Sequence, residues 1–409
     1  MVATRVPLAP EAQLLLLTAA VAPSDAATRG VLSAGIDWDV LCALAEHERA
    51  TPIMLRQLGR LDPPESASGF ADLRRRAAGS LMQMMHLEQL LYQMLDCLGD
   101  RGIEPMLLKG AGLAYTAYPA FVDRPMGDLD VLVRAEQAEH AWTVLQTLGW
   151  TWPSSRWEAG LYDAHHHRPP LVHEPGGFRL EIHENLLPQG HPFRFSIDAL
   201  WARAQRVPRD ERVLIVAHPV HQLWHVCVHF AWLHEMEWGT WRALRDTAAL
   251  VRRGCVAWGE FVDFARETRA GTCCFWTLRL ARRLAGAEVP DDVLAALRPP
   301  RPEFMLEHLE RHYVANLFPT KDHCPSVWLA RRLWEAGVLP AWSGHGPERP
   351  WHGSEKWMTE PERRDAEPAR RSVLARLRTV AAGLTYLRRI RRSALPPTTE
   401  AIGPPGEQP

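Results

Sequence analysis

Two aspartates separated by a single leucine open an apolar run, in the segment DLDVLV at residues 128–133. Side chains two residues apart on a strand project from the same face, so Asp128 and Asp130 would lie side by side while Leu129 points into the core. Carboxylate oxygens are the ligands that Mg²⁺ prefers, with water and phosphate completing its shell. The pattern therefore predicts a site for Mg²⁺ (or Mn²⁺) that carries a nucleoside triphosphate.

A third acid follows about fifty residues later, in the segment RLEIHE. Glu181 lies between two apolar residues, as an acid on an otherwise buried strand would, and His183 shares its face of that strand. Three carboxylates brought together from two strands can hold the pair of metal ions used in phosphoryl-group transfer. We therefore predict Asp128, Asp130 and Glu181 as metal ligands, with Glu181 or His183 accepting the proton of the attacking group.

Small residues precede the aspartates, at Gly110-Ala111-Gly112, between a predicted strand and a predicted helix. Small side chains allow backbone N–H groups to approach a phosphate closely, and a helix N-terminus favours an anion. Lys109 and Arg124 flank this segment and supply positive charge. The segment from Lys109 to Gly112 and Arg124 are therefore the predicted nucleotide-binding residues.

The strands and helices that position these side chains are predicted from the spacing of apolar residues. Near residue 101 this spacing changes from purely helical to a mixture of strand and helix patterns. EPMLLKG and DLDVLV are short apolar runs typical of strands, and AGLAYTAY and AEQAEHAWTVLQTLGW have helical spacing. LVHEPGGFRLEIH predicts a hairpin with its turn at 174–177. Residues 101–197 are therefore predicted to be the catalytic core, a small mixed sheet with flanking helices.

The rest of the chain is predicted to be mainly helical, which makes the fold class α+β. Residues 1–100 form an N-terminal helical region whose first core helix contains Leu14 to Ala22, and a long helix runs from Phe70 to Leu98. Residues 198–298 form a second helical region that packs on the core. Residues 299–409 are a Pro/Trp/Arg-rich extension. The sequence assigns no fold to its first part, which precedes the basic amphipathic helix Arg370–Arg392, and predicts a disordered tail after that helix. The long helix carries a stripe expected in the core, namely Leu81, Met84, Met85, Leu87, Leu91 and Leu95.

Composition excludes several classes of protein. The net charge of the 409-residue chain is −1, which argues against general nucleic-acid binding by the whole molecule. Its seven cysteines form no C-x-x-C pair and are odd in number, so a reducing, cytoplasmic location is expected. No apolar run approaches the roughly 20 residues that span a bilayer. The basic helix Arg370–Arg392 either contacts RNA or a membrane surface weakly, or docks on the body with its arginines in solvent.

Histidines suggest two further sites, neither with the spacing of a known zinc motif. His165 and His167 would share one face of the hairpin and could line the nucleotide or acceptor pocket. A second set lies on one face of a helix at i, i+4 and i+8, namely His221, His225 and His229. A buried, hydrogen-bonded face is the preferred interpretation of that second set. Asp246 is expected to bond a helix end or a histidine.

The blocks LLKGAGLAY, RPMGDLDVLV and LEIHENL, read together, resemble a bacterial family described as uncharacterised nucleotidyltransferases, within the DNA-polymerase-beta-like superfamily. The resemblance extends over most of residues 30–255. The superfamily pattern is a Gly-Gly or Gly-Ser turn, then D-x-D, then a separate acid. Here Gly110-Ala111 stands where Gly-Ser is usual, and the spacing from the turn to D-x-D is longer.

The resemblance implies metal-dependent transfer of a nucleotide from a triphosphate such as ATP to an acceptor, with release of pyrophosphate. The acceptor is left open between a small molecule, a protein side chain and an RNA end. Two alternatives remain, a catalytically silent nucleotide-binding module of the same fold and a metal-dependent hydrolase with a histidine site. The retention of all three acids argues against the silent module.

Overall fold

The structure, a computed structural model, describes residues 8–61, 68–153, 162, 165–174, 176–318, 327–338, 373–392 and 395. The described residues combine one mixed sheet with many helices, which confirms the predicted α+β class. Among these residues, no helix combines the length and the apolar character needed to cross a bilayer.

The sheet has seven strands in the order β3-β4-β5-β2-β1-β7-β6. Their bounds are β1 Met106–Leu107, β2 Asp128–Leu132, β3 Trp150–Thr151, β4 Leu171–His173, β5 Phe178–His183, β6 Gln205–Arg209 and β7 Arg212–Val216. The pairs β2–β5 and β1–β7 are parallel, and the remaining neighbours are antiparallel. The predicted strands and the predicted hairpin β4–β5 are therefore present, and β2 and β5 are adjacent.

Helices cover both faces of this sheet. Those before the sheet are α1 Pro10–Ala19, α2 Asp25–Ser33, α3 Trp38–His47, α4 Thr51–Leu58 and α5 Ser68–Gly99. Two lie between strands, α6 Lys109–Thr116 and α7 Ala138–Gln146, and α8 Ile197–Ala202 precedes β6. The others are α9 Pro219–Val228, α10 Thr240–Arg252, α11 Trp258–Glu267, α12 Gly271–Ala285, α13 Asp291–Leu297, α14 Glu303–Asn316, α15 Val327–Val338 and α16 Val373–Arg392.

The alternation of side chains along β2 divides the core in two. Leu129 and Val131 pack with α5 and α7 in one cluster, and both are fully buried. Leu132 belongs to a second cluster, which joins the N-terminal helices to α9–α14 on the opposite face. Asp128 and Asp130 share that second face, because residues two apart on a strand point the same way. The acids therefore face the helical part of the chain.

One predicted helical region is partly wrong. The pattern predicts helix from about Asp198 to Leu297, but residues 205–216 form the hairpin β6–β7, and β7 pairs with β1. The run VLIV in β7 is rich in β-branched residues, which favour strands. The charged residues before it interrupt the alternation of apolar and polar residues by which a strand is predicted. The division of the chain into four units stays a prediction.

The long helix is confirmed as α5, and Leu14 and Leu15 in α1 are fully buried. The apolar stripe of α5 is only partly a core feature. Leu81 and Met85 are 42% and 55% exposed, whereas Leu87 and Leu91 are buried. Leu81 and Met85 are four residues apart on one side of α5, and the buried side carries Met84, Leu87 and Leu91.

The end of the chain contributes helices that the sequence does not assign. Within residues 299–368, α14 and α15 are helical, and the basic helix is confirmed as α16. The buried Tyr386 hydroxyl lies 2.7 Å from His312 Nδ1 of α14, so α16 docks on the body. Leu384 of this helix is 51% exposed, whereas Tyr386 and Ile390 are buried. The tail from residue 396 lies outside the described residues.

Candidate active site

The register of β2 and β5 brings the predicted acids together. Asp130 pairs directly with Glu181 in this parallel ladder, and Asp128 pairs with Arg179. Paired residues on adjacent strands point to the same face, so the three carboxylates and Arg179 form one polar patch. Asp130 is only 3% exposed, which places this patch at the base of a cleft and away from bulk water.

Lys109 and His183 converge on one oxygen of Asp130. Lys109 Nζ and His183 Nε2 donate hydrogen bonds to Asp130 Oδ1 at 2.7 and 2.8 Å. Glu181 Oε2 lies 3.8 Å from the same ammonium and 3.5 Å from the same imidazole nitrogen. Lys109 is predicted from the sequence to bind phosphate, but here it offsets part of the charge of the acids. Its φ of 43° is rare for a residue other than glycine.

The acids differ in how readily they ionise. Burial and the charges of Asp130 and Glu181 raise the pKa of Asp128. Burial would also raise the pKa of Asp130, but Lys109 and His183 outweigh it and hold that pKa at about 2. Burial likewise opposes ionisation of Glu181, yet His183 and Lys109 keep its pKa well below the usual value. Asp130 and Glu181 are therefore charged at neutral pH, and Asp128 is the acid that most needs a further cation.

Two histidines preceding the hairpin complete this end of the patch. His166 and His167 both line the cavity beside the acids, and His167 Nε2 lies 3.9 Å from Glu181 Oε2. Burial lowers the pKa of both imidazoles, so they are neutral at pH 7. His167 therefore lines the cavity as the sequence suggested, His166 does so as well, and His165 is not among the lining residues.

Among the described residues, one group has the geometry of a metal site. Asp130, Glu181 and His183 each offer a ligand atom, and these atoms all lie within 4.8 Å of one another. The set predicted from the sequence has Asp128 in place of His183, and Asp128 stays a predicted ligand. The three carboxylates outnumber the two cations of the patch, Lys109 and Arg179, and leave a net charge of about −1 that attracts a divalent cation. The donor set therefore fits a divalent metal ion.

A cavity of about 590 Å³ opens above these acids. Its floor is the polar face of β2 and β5 with the start of α6, and its roof is formed by the end of α9, the following π-helical turn His229–Leu233 and the start of α10. A volume in this range is typical of small-molecule and cofactor sites. The cavity therefore has room for a nucleotide next to the acids.

Arg124, which the sequence predicts to bind phosphate, lines the cavity and is paired within the protein. Its guanidinium forms a bidentate ion pair with Asp246 of α10, with Nε–Oδ1 and Nη2–Oδ2 distances of 2.7 Å. The Tyr118 hydroxyl donates to the same carboxylate at 2.6 Å. The expectation that Asp246 bonds a helix end or a histidine is therefore wrong. A bidentate arginine is the stronger partner for a carboxylate that is removed from water.

The predicted glycine turn lies inside the first turn of α6. Ala111 is buried in the core on the far side of the sheet, while Gly110 and Gly112 line the cavity. A Cβ on Gly112 would lie 2.6 Å from the carbonyl oxygen of Leu107, so this glycine permits close helix–strand packing. Leu108 precedes the helix and offers no side-chain cap, which leaves first-turn N–H groups of α6 for a ligand.

Three arginines that sequence reasoning missed line the cavity: Arg49, Arg179 and Arg242. Within the part of the chain that the structure describes, no carboxylate lies within 4.0 Å of their guanidinium groups. The guanidinium of Arg49 lies against Gly127, where any Cβ would clash with it. Arg179 could have been found, because Arg179, Glu181 and His183 recur at the two-residue period of one strand face. Nothing local in the sequence marks the other two.

The histidines of α9 are divided between the core and the cavity. His221 packs against Phe264 with ring centroids 4.7 Å apart, whereas His225 and His229 line the cavity. Burial lowers the pKa of His225 to about 3, so this imidazole is neutral. Among the described residues, these three do not form a metal-binding group. His221 is therefore buried, as the preferred interpretation expects, but its Nδ1 has no hydrogen-bond partner among the described residues.

A small mixed sheet that presents a D-x-D pair and a neighbouring acid to a cleft beside a helix N-terminus defines a nucleotidyltransferase-type protein. Residues 34–286 match the family model described as uncharacterised nucleotidyltransferase, and this match covers more than half of the chain. The chain belongs to that family, as the sequence resemblance indicated. Neither a curated protein nor a solved structure gives a significant match.

Proposed function

We propose that this protein transfers a nucleotide from a nucleoside triphosphate such as ATP to an acceptor nucleophile, in a metal-dependent reaction that releases pyrophosphate. The observation that carries the proposal is the pairing of Asp130 with Glu181 beside Asp128, on the floor of a cavity of about 590 Å³. A cytoplasmic location fits this activity, because triphosphates are abundant there.

The triphosphate lies between the start of α6 and the arginines of the cavity. The first turn of α6 directs uncapped N–H groups and the positive end of the helix dipole at the β- and γ-phosphates. Arg49, Arg179 and Arg242 supply positive charge, and no described carboxylate forms an ion pair with them within 4.0 Å. These contacts orient the α-phosphate toward the acids and hold the pyrophosphate as it leaves.

Asp128, Asp130 and Glu181 are the residues that would hold Mg²⁺ (or Mn²⁺), which when bound neutralises the phosphates and lowers the pKa of the attacking group. Lys109 donates to Asp130 and keeps this carboxylate oriented and charged. His183 does the same through Nε2. Both residues therefore position Asp130.

The chemical step forms one bond and breaks one bond. The acceptor oxygen or nitrogen attacks the α-phosphorus in line, and the bond from that phosphorus to the bridging oxygen of the β-phosphate breaks. The proton of the acceptor passes to the carboxylate of Glu181, which is ionised and lines the same cavity. Pyrophosphate takes the electron pair of the broken bond and leaves along the arginines.

Labelling of the two ends of the triphosphate tests the proposal. The protein is incubated with Mg²⁺ or Mn²⁺, a fractionated lysate and NTPs labelled either at the α- or at the γ-phosphate. Transfer of α-label but not γ-label to an acceptor, with pyrophosphate released, is the expected result. The Asp128→Asn variant serves as the control without a complete acid set.

Other outcomes identify the competing functions. A Mg²⁺-dependent thermal shift with NTP but no pyrophosphate release in any fraction would indicate a silent nucleotide-binding module. Hydrolysis of a substrate without any nucleotide would indicate a metal-dependent hydrolase. Transfer of label by Asp128→Asn at the wild-type rate would show that the acids are not the site.

A further inference from the structure

The acids of the site are accompanied by two histidine nitrogens that the usual magnesium chemistry does not need. We propose that His167 and His183, together with Asp130 and Glu181, form a mixed nitrogen–oxygen site that prefers a divalent transition metal such as Mn²⁺, Co²⁺ or Zn²⁺ over Mg²⁺. This site shares Asp130 and Glu181 with the proposed function and so rests on it in part, but metal binding there does not depend on nucleotidyl transfer.

The backbone places the two histidines opposite each other. His167 forms an antiparallel bridge with His183, at the end of β5. Hydrogen bonds on both sides of the bridge fix it, from Arg168 N to Ile182 O at 2.8 Å and from Glu184 N to His166 O at 2.9 Å. Directly paired residues share one face of a sheet. The two imidazoles are therefore held beside Glu181, with ring centroids 5.2 Å apart.

The hydrogen bond of His167 determines which of its nitrogens can bind a metal. Nδ1 lies 2.8 Å from the carbonyl oxygen of Arg168, and a carbonyl oxygen only accepts. The neutral ring therefore carries its proton on Nδ1 and its lone pair on Nε2, which lies 3.9 Å from Glu181 Oε2. A backbone carbonyl on the far nitrogen is the usual device that orients a metal-binding histidine.

The spacing of the other donors matches a single ion. Donor atoms bonded to a metal at about 2.0–2.2 Å lie roughly 3–3.5 Å apart. His183 Nε2 donates to Asp130 Oδ1 at 2.8 Å and lies 3.5 Å from Glu181 Oε2, so a bound ion would take the place of the proton on Nε2. His167 Nε2 lies outside this close set, 3.9 Å from Glu181 Oε2, so its imidazole has to move toward the other three donors to bind the same ion.

The identity of the donors sets the metal preference. Mg²⁺ takes oxygen ligands, keeps several waters and gains little from imidazole. Mn²⁺, Co²⁺ and Zn²⁺ accept imidazole together with carboxylate, and Co²⁺ binds such sites more tightly than Mn²⁺ does. Both imidazoles are at least nine-tenths buried, so few waters can complete a magnesium shell at this position. Asp128, on the side of the triphosphate, retains the all-oxygen environment that suits Mg²⁺.

Cobalt titration of the full-length, chelator-stripped protein tests the proposal without nucleotide, by visible absorption of the bound Co²⁺. Wild type is expected to bind Co²⁺ at least about tenfold more tightly than Mg²⁺ measured by competition. His167→Gln and His183→Gln should each weaken Co²⁺ binding by about 10–100-fold and alter the spectrum, as loss of a metal-orienting contact does. His140→Gln, an exposed histidine on the far side of the sheet, is the matched control and should bind as wild type does.

Two results would overturn the proposal. One is equal affinity of wild type for Co²⁺ and Mg²⁺, and the other is wild-type affinity and spectrum in His167→Gln. Far-UV circular dichroism verifies that each variant is folded, and His167→Gln decides the question if the fully buried His183 tolerates no change. Asp128→Asn separates this proposal from the transferase, because it should lose label transfer and keep the Co²⁺ spectrum.

Discussion

Arg124 and Asp246, 122 residues apart in the chain, form a buried bidentate ion pair that joins the loop before β2 to α10. This pair connects the floor of the cavity to its roof, since both residues line it. Removal of one partner leaves the other charge buried and unpaired, which is the costly way to break such a pair.

Asp246→Ala should lower the free energy of unfolding by about 3–5 kcal/mol, measured by urea denaturation. The matched control is Asp198→Ala. Asp198 forms an ion pair with Arg134 at 3.5 Å, and the Asp198 side chain is 86% exposed. An exposed pair contributes less than about 1 kcal/mol. Similar losses in the two variants would contradict a structural role for the Arg124–Asp246 pair.

Two glycines within helices should respond to alanine in opposite directions. Gly112→Ala should destabilise the protein by about 1–3 kcal/mol, because the new Cβ would lie 2.6 Å from a backbone oxygen of β1. Gly79→Ala in α5 meets nothing within 4 Å and should stabilise by about 0.5–1 kcal/mol. Thermal unfolding of both variants checks this, and a stabilised Gly112→Ala would refute the close packing of α6 on β1.

Asp128→Asn should separate stability from activity. The raised pKa of Asp128 means that its charge is unfavourable in the folded protein when no metal is bound. The neutral amide should therefore raise the unfolding temperature of the metal-free protein. It should also lower nucleotide transfer on the order of 10³-fold, since a metal ligand supplies several kcal/mol to the transition state. A variant that is less stable than wild type at neutral pH would contradict the repulsion among the acids.

Arg242→Gln should weaken nucleotide binding by about 10–100-fold, because a charge-assisted hydrogen bond to phosphate contributes about 1.5–3 kcal/mol. Arg252→Gln removes an exposed arginine from the same helix and should leave affinity unchanged. Isothermal titration with a non-hydrolysable triphosphate and Mg²⁺ measures both. If the two variants bind alike, the triphosphate does not lie under α10.

Glu235 should make stability depend on pH. Burial and the charge of Glu237 raise the pKa of Glu235 to about 7 in the folded protein, above its ordinary value of 4.5. The folded state therefore holds this proton more tightly than the unfolded state, so its contribution to stability falls as pH rises from 4.5 to about 7. Glu235→Gln should match wild type near pH 4.5 and be more stable than wild type at about pH 8. Urea unfolding of both proteins measures this difference. The same difference in stability between Glu235→Gln and wild type at both pH values would contradict a raised pKa of Glu235.

Local spacing by itself determined part of this site. The alternation in Asp128-Leu129-Asp130 and around Glu181 requires these acids to leave the apolar core and share strand faces, whatever the strands pair with. The hairpin turn at 174–177 and the long helix α5 also follow from nearby residues alone. Family resemblance added the expectation that the acids would converge.

Tertiary structure decided which partners these residues meet. The sheet places Glu181 beside Asp130 and brings Lys109 and His183 to the same oxygen, and the packing of α10 pairs Arg124 with Asp246. No spacing within a segment encodes these contacts, because they depend on how apolar faces of distant helices and strands pack together. The type of a residue and its spacing from its neighbours show which face of a strand or helix it occupies. The packing of the whole chain around its apolar core decides which residues lie opposite that face.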